Sequence, residues 1–328
     1  MHSIRFVSVS LLCAIAPAFV AAAPSAWKTV AALPRGCAFS SGKPELIGRQ
    51  IFVVAGRDYR IDQLFRYDLD ADAWTAQPTA LLTSRHHFAT AVLDGRLYVV
   101  GGCLGESDAV PHRRTNAAER YDPATNLWTP LAPMLTAREG FQLVAWNGEL
   151  FAIGGTDRED TPITSVEAYD PATDAWRRAA TAPWHQSLTE FAAVAHRDKI
   201  IILGRTKNGA VFVEYDPRAN TFVAKPPGRA AEKRSYGIAL VGDMLLLVGG
   251  AGKQPIDTVT GCDLDTGQWH DFPALPQARG GPGAIAVGGH VLCLGGWGPE
   301  WDWAHPNASV FALDLPTRSA TAESEGSR

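Results

Sequence analysis

A short phrase recurs along this chain with a period of about fifty residues. The phrase is Tyr-Asp, often followed by Pro-Ala, with a Trp a few residues later. Its clearest copies are residues 121–124 with Trp128 and residues 169–172 with Trp176. Six aspartates mark the successive copies: Asp68, Asp122, Asp170, Asp216, Asp263 and Asp314. A period of this length indicates a repeat architecture in which each repeat forms one supersecondary unit.

An apolar run that ends in two glycines lies upstream of most copies, and residues 97–102 and 150–155 are the clearest of these runs. Tight turns precede them, at residues 94–95 and 147–148, and Asp-Gly and Asn-Gly are typical of β-hairpins. Each repeat is therefore predicted to hold four strands, a to d. The glycine pair follows strand b, the Tyr-Asp pair ends strand c, and the Trp lies on strand d. Six such units predict an all-β propeller with six blades.

The glycine pair, the Tyr-Asp turn and the following Trp together resemble the kelch repeat, over roughly residues 27–315. The resemblance implies a six-bladed kelch β-propeller, which we place at residues 24–315. The last blade lacks its Trp, and a spare Trp27 precedes the first blade. We therefore expect the N-terminal strand to supply strand d of the last blade, which closes the ring and leaves no free sheet edge.

The two ends of the chain are predicted to lie outside the propeller. Residues 1–23 combine Arg5, an apolar stretch and three alanines before position 24, which are the features of a cleaved signal peptide. We therefore expect a periplasmic or secreted protein. Residues 316–328 are small and polar and are predicted to form a disordered tail. The net charge is −4 with mixed signs, so no nucleic-acid partner is expected, and no second apolar stretch predicts a membrane span.

Cysteine and histidine spacing gives no metal site. The predicted mature chain keeps four cysteines: Cys37, Cys103, Cys262 and Cys293. Only Cys37 and Cys103 could meet, near one face of adjacent blades, and the sequence leaves this disulfide open. No Cys–His spacing is typical of zinc. His86 and His87 are expected to point in opposite directions, as neighbours on a strand do. We predict no metal and no cofactor.

Any binding site is expected on the face where the d–a and b–c loops meet, which we call the loop face. Basic residues recur there at the start of strand a, sixteen residues before the first glycine in the clearest blades. We assign the series as Arg35, Arg85, Arg138, Arg279 and, in blade five, Lys233 or Arg234. A ring of guanidinium groups would suit a carboxylate or sulfate ligand. The alternative is that each Arg makes local hydrogen bonds within its own blade.

Two departures from the repeat add candidate site residues. Blade four has Leu188 at the Arg position and Glu190 two residues later, and a carboxylate near an apolar channel is a candidate acid or base. Its alternative role is a structural ion pair. The last b–c loop carries Trp297, Trp301 and Trp303, whose flat faces are typical of sugar-binding sites. The alternative is a loop that caps the seam between blades.

These features favour a secreted propeller, expected to be monomeric, that binds a protein or a small molecule such as an acidic sugar at its loop face. The alternative is a sugar epimerase or mutarotase, since secreted kelch propellers resemble periplasmic sialic-acid epimerases. Those enzymes place a Glu just after strand b of one blade, whereas residues 204–207 contain no acid, so Glu190 or Glu300 would have to substitute. A galactose-oxidase-like copper enzyme also carries kelch repeats, but no matching set of Tyr and His is found here.

Overall fold

Six four-stranded antiparallel sheets follow one another along the chain and form a six-bladed propeller. The computed structural model describes residues 26–39, 42–54, 63–104, 113–184, 189–300 and 306–315. The predicted signal peptide (residues 1–23) and tail (residues 316–328) lie outside these ranges. No helix in the described ranges has the length and apolar character needed to cross a membrane.

The first strand, β1 (Lys28–Val30), precedes blade one and belongs to the last sheet. Blade one consists of β2 (Glu45–Ile47), β3 (Gln50–Val54), β4 (Gln63–Asp68) and β5 (Ala73–Ala80). Blade two consists of β6 (Ala89–Leu93), β7 (Arg96–Val100), β10 (Ala118–Asp122) and β11 (Leu127–Leu131). Blade three consists of β12 (Gln142–Trp146), β13 (Glu149–Ile153), β14 (Ser165–Asp170) and β15 (Ala175–Thr181). A small hairpin extends the b–c loop of blade two, with strands β8 (Cys103–Leu104) and β9 (Arg113–Arg114).

Blade four consists of β16 (Thr189–His196), β17 (Lys199–Thr206), β18 (Gly209–Asp216) and β19 (Thr221–Lys225). Blade five consists of β20 (Gly237–Val241), β21 (Met244–Val248), β22 (Val259–Asp263) and β23 (Trp269–Phe272). Blade six consists of β24 (Gly283–Val287), β25 (His290–Leu294) and β26 (Val310–Asp314), together with β1. A short 3-10 helix, Gly228–Glu232, precedes blade five. The b strands are almost wholly buried, as the apolar runs predicted.

The repeated Tyr and Trp face each other across strands c and d and then join neighbouring blades. Tyr169 lies opposite Trp176, with ring centroids 5.1 Å apart. The indole N–H of Trp176 donates to the carbonyl of Ala132, 2.9 Å away, at the end of the preceding blade. The Tyr169 hydroxyl donates to Asp174, whose same oxygen accepts the N–H of Ala132. The Trp therefore packs at a blade seam, as its recurrence predicted.

The N-terminal strand closes the ring. Strand β1 pairs antiparallel with β26, and Thr29 lies opposite Phe311. The indole N–H of Trp27 donates to the carbonyl of Pro273 in blade five at 2.8 Å, which repeats the seam contact of the other Trp residues. The predicted closure is confirmed, and each of the six blades has four strands because the first strand completes the last blade.

None of the four described cysteines forms a disulfide and all four are buried, so the Cys37–Cys103 pairing that the sequence left undecided is absent. The Cys103 thiol donates to Glu139 at 2.5 Å, and its burial raises the pKa of the thiol. Burial also raises the pKa of Cys293 to about 12 and that of Cys262 to about 11. These three thiols, of Cys103, Cys262 and Cys293, are therefore protonated near neutral pH and have little nucleophilic character.

Candidate functional site

The recurrent arginines belong to the interior of the blades. Arg138 has no solvent-exposed surface, and its guanidinium donates to the carbonyls of Gly154 at 3.1 Å and Ser165 at 3.0 Å. It also donates to Glu167 at 2.5 Å, a carboxylate that is itself 1% exposed. The guanidinium joins the end of strand b to the start of strand c within one blade. This overturns its assignment as a ligand-binding residue, because the side chain is buried within its blade and both terminal guanidinium nitrogens already donate to oxygens of that blade.

Arg85 and Arg279 repeat this arrangement, and their assignment is corrected in the same way. Both are completely buried. Arg85 donates to the carbonyl of Val99 at 2.9 Å and forms an ion pair with buried Glu119. Arg279 donates to the carbonyl of Gly295 at 2.7 Å and to the hydroxyl of Ser309 at 2.5 Å. The local hydrogen-bonding alternative is therefore the correct one for these three residues.

Arg234 is not the equivalent residue in blade five. Lys233 occupies the buried position instead, is 3% exposed, and donates to the carbonyls of Leu247 and Thr258, both 3.1 Å away. Arg234 comes one residue later and is exposed. Its position on the loop face leaves a ligand-binding role for Arg234 as a prediction.

Arg35 also misses the position. The second glycine of a pair donates its N–H to the carbonyl of the residue at the arginine position in the next blade, as Gly102 does to Arg138 and Gly250 to Arg279, both at 2.8 Å. The equivalent bond closes the ring from Gly296 to Cys37 at 2.7 Å, so Cys37 holds the position in blade one. Arg35 lies two residues earlier and is exposed. The predicted ring of guanidinium groups is therefore not formed.

A cavity of about 300 Å³ lies at the loop-face end of the channel, just beyond the arginine position. Every blade contributes one aromatic residue to its lining: Phe39, Phe88, Phe141, Phe191, Tyr236 and Trp297. In four blades this aromatic stands three residues after the arginine position, or after its equivalent, Leu188 in blade four and Lys233 in blade five. The sequence interpretation missed this series, although an alignment of the repeats on the arginine position shows it.

Trp297 lines the cavity but is not an open stacking surface. It is 3% exposed and lies against the backbone of Gly280 and Gly281. A Cβ atom at Gly281 would come within 1.9 Å of the indole ring, so the glycine is required at this position. Trp301 and Trp303 lie outside the described residues. The proposed sugar-stacking loop therefore stays a prediction for those two, and Trp297 has a packing role.

The cavity lining also contains five polar side chains: Lys43, Thr90, Gln142, Ser235 and Tyr236. The Thr90 hydroxyl bridges the backbone of Lys43, accepting its N–H at 2.9 Å and donating to its carbonyl at 3.2 Å. The Gln142 amide donates to the carbonyl of Phe191 at 3.0 Å. The Lys43 ammonium lies 3.8 Å from a carboxylate oxygen of Glu45, which is 8% exposed. Burial raises the pKa of Glu45, and the nearby Lys43 partly opposes this.

Beside the cavity, His86 and His87 do not point apart as expected. Their Nδ1 atoms are 2.6 Å apart, because His87 has a φ of +53° and is not in extended conformation. Glu139 lies 3.7 Å from Nδ1 of His87 and also accepts hydrogen bonds from Arg114 and Cys103. Among the residues that the structure describes, no three His, Cys, Asp or Glu side chains are arranged to hold a metal ion.

The catalytic candidate Glu190 can be placed only by its backbone. It lies on β16, at the start of blade four, and is two residues after the arginine position, as Gly140, Ser235 and Gly281 are in their blades. Those three residues line the cavity. The side chain of Glu190 is outside the described part of the structure, so its acid–base role stays a prediction. Glu300 is described and exposed.

The two most regular repeats match the family model described as Kelch motif, over residues 84–135 and 137–183. The chain is 28% identical to "Kelch-like protein terF" of Aspergillus terreus over 69% of its own length, and 32% identical to "Beta-scruin" of Limulus polyphemus over 71%. The chain belongs to the kelch-repeat family. These kelch alignments span 53% of terF and 27% of scruin, so the chain corresponds to about half of its curated relatives or less.

Among solved structures, the kelch propeller is similar to "Structure of YjhT", with a TM-score of 0.72 and 18% sequence identity. The match covers 88% of this chain and 98% of that one. It therefore supports the propeller fold over the whole described ring, and at this identity it supports the fold alone.

Proposed function

We propose that this kelch propeller is an exported binding platform that captures a protein or a small molecule at its loop face. The supporting observation is a change in burial and in residue type within the three residues at the start of each strand a. The arginine position is buried in the five blades where the structure describes it, whereas the next two residues differ from blade to blade, and the second of them lines the cavity in blades three, five and six. These pairs are His86-His87, Glu139-Gly140, Arg234-Ser235 and Gly280-Gly281. A uniform frame that carries variable loop residues is the usual arrangement of a recognition surface.

The test of the binding face uses two exposed arginines on opposite faces. Arg234 lies on the loop face, and Arg49 lies in an a–b turn on the other face, where it pairs with exposed Asp70 at 2.5 Å. Immobilised wild type, Arg234→Glu and Arg49→Glu would be compared for the proteins and small molecules that they retain from periplasmic and secreted fractions of the source organism. We expect only Arg234→Glu to lose the retained species. Equal retention by wild type and both variants would overturn the loop-face assignment.

Export is part of this proposal and is supported by the signal-like residues 1–23. Expression of the whole chain is expected to give a processed protein that begins near Ala23 or Pro24, which mass spectrometry of the periplasm and medium would detect. An unprocessed chain that stays in the cytoplasm would contradict export, but it would not bear on the assignment of the loop face as the binding face.

The enzymatic alternative, epimerase or mutarotase activity on an acidic sugar, stays a second candidate. Lys43, which lines the cavity, lies 3.8 Å from the buried carboxyl group of Glu45, and this pair gives such chemistry a starting point. Mutarotation of acidic sugars would be followed with wild type, Glu190→Gln and Glu45→Gln. Turnover that disappears in either variant, with the fold intact, would favour the enzyme over the platform.

A further inference from the structure

The central cavity is small, enclosed by aromatic rings and open at the loop face. Its volume of about 300 Å³ is at the lower end of ligand-binding pockets. All six blades contribute an aromatic ring, and Phe39 and Tyr236 are the two that keep partial exposure. Aromatic walls bind flat apolar rings by edge-to-face and offset contacts. The lining therefore favours a compact ligand with one or two rings.

Two of the five polar side chains in the lining already bond to the backbone, which leaves few partners for a polyhydroxylated ligand. The Thr90 hydroxyl is occupied by the backbone of Lys43, and the Gln142 amide by the carbonyl of Phe191. A sugar would give up hydrogen bonds to water for each hydroxyl that it buries, and an unmatched buried hydroxyl is costly. The same cost is absent for an aromatic ring.

Lys43 is the one charged side chain among the described residues that line the cavity. Its side chain is 31% exposed, and its ammonium lies 3.8 Å from Glu45, which is beyond hydrogen-bond distance. Glu45 lies deeper, and one of its carboxylate oxygens, Oε1, is buried and accepts no hydrogen bond. An anionic group that enters from the loop face would therefore meet the ammonium before the carboxylate.

We propose that the cavity binds an aromatic carboxylate, with its ring among the six aromatic side chains and its carboxylate at the Lys43 ammonium. This proposal rests on the loop face being the binding face and goes further by naming the ligand class. It predicts that both parts of the ligand are needed, since the ring supplies apolar burial and the carboxylate a charge-assisted hydrogen bond.

Isothermal titration calorimetry would test the proposal with benzoate and 2-naphthoate as probes. The uncharged counterpart is 2-naphthalenemethanol, and glucuronate represents an acidic sugar. Three variants would be compared with wild type. Lys43→Met removes the charge and keeps an unbranched side chain of similar length. Gln142→Trp fills the cavity from strand β12. Lys225→Met is the matched control, because Lys225 is also partly exposed beside a glutamate, 3.0 Å from Glu214, on the outer strand of blade four.

We expect wild type to bind at least one aromatic carboxylate, and Lys43→Met to weaken this binding roughly tenfold or more without changing binding of the alcohol. Gln142→Trp should abolish binding of acid and alcohol alike, and Lys225→Met should change neither. Unchanged thermal melting would show that the variants are folded.

Three results would overturn the proposal. Wild type could bind neither aromatic acid, Lys43→Met could bind the acids as well as wild type does, or glucuronate could bind in their place. Each of these outcomes is separate from the Arg234→Glu comparison, which tests the loop face itself. If Arg234→Glu loses a protein that wild type retains, the platform function stands even when no aromatic acid binds.

Discussion

The guanidinium of Arg279 lies over the ring of Phe311, 4.5 Å from the ring centroid. Phe311 stands on strand c, two positions before the place of the repeat tyrosine. In blades two and three the same position holds Glu119 and Glu167, which form buried ion pairs with their arginines. The frame thus holds a buried cation either with a carboxylate or with an aromatic face and neutral oxygens.

This difference predicts unequal costs when the arginine is removed. Arg138→Met leaves the carboxylate of Glu167 buried without its cation, which should lower the free energy of unfolding by about 3–5 kcal/mol. Arg279→Met leaves only neutral acceptors behind and should cost about 1–3 kcal/mol. Urea unfolding of the two variants measures the difference.

A double variant separates the lost charge pair from lost packing. Arg138→Met combined with Glu167→Leu replaces both charges with apolar groups and should recover most of the stability that Arg138→Met loses. A double variant as unstable as the single one would show that the uncompensated carboxylate is not the cause.

Ring closure predicts a strong dependence on the N-terminal strand. Deletion of residues 24–33 removes Trp27 and Leu33, which are 9% and 3% exposed, together with strand β1. Loss of one such buried aromatic alone costs about 3–5 kcal/mol, and the melting temperature should fall by about 10 °C or more. Deletion of residues 24–26, which stops before Trp27, is the matched control. Equal melting temperatures for the two deletions would contradict closure.

The fold could be predicted from sequence because its information is periodic. The Tyr-Asp phrase, the glycine pair and the Trp repeat with the blades, and the spare Trp27 together with the Trp missing from the last blade predicted the closure. The hydrogen bond from Trp27 to Pro273 agrees with it. Each feature depends on local turn chemistry and on packing that recurs in every blade. Such signals survive in a single sequence because the chain carries several copies of each.

The site was harder to predict because recurrence alone does not distinguish a ligand-binding series from a structural one. The arginine position recurs because hydrogen-bond donors are needed between strands b and c of a blade. The ion-pair partner of Arg138, Glu167, is visible in the sequence and could have indicated this structural role. The turn of His87 to a φ of +53° could not be predicted, because it depends on the packed loop face. A side chain's direction there is set by tertiary contacts and not by alternation along a strand.

Lys233 predicts a pH-dependent stability. Burial lowers the pKa of Lys233 to about 8 in the folded protein, against about 10.4 in the unfolded chain. Between these values the unfolded chain binds the proton and the folded protein does not, so raising the pH favours folding. Relative to Lys233→Met, wild type should gain on the order of 2 kcal/mol from pH 8 to pH 10. Urea unfolding at both pH values tests this, and a difference that stays constant would contradict it.

Two glycines at equivalent loop-face positions provide the sharpest test of how the cavity is built. Gly140 and Gly281 both have positive φ, +59° and +54°, so alanine at either should cost about 1–2 kcal/mol in backbone strain. A Cβ atom at Gly140 meets nothing within 4 Å, whereas at Gly281 it would lie 1.9 Å from the Trp297 ring. Gly281→Ala should therefore also displace Trp297, lower stability further, change the near-UV circular dichroism and disturb the cavity. Gly140→Ala should lower stability by the backbone strain alone. If the two variants behave alike, Trp297 does not pack against the backbone at Gly281.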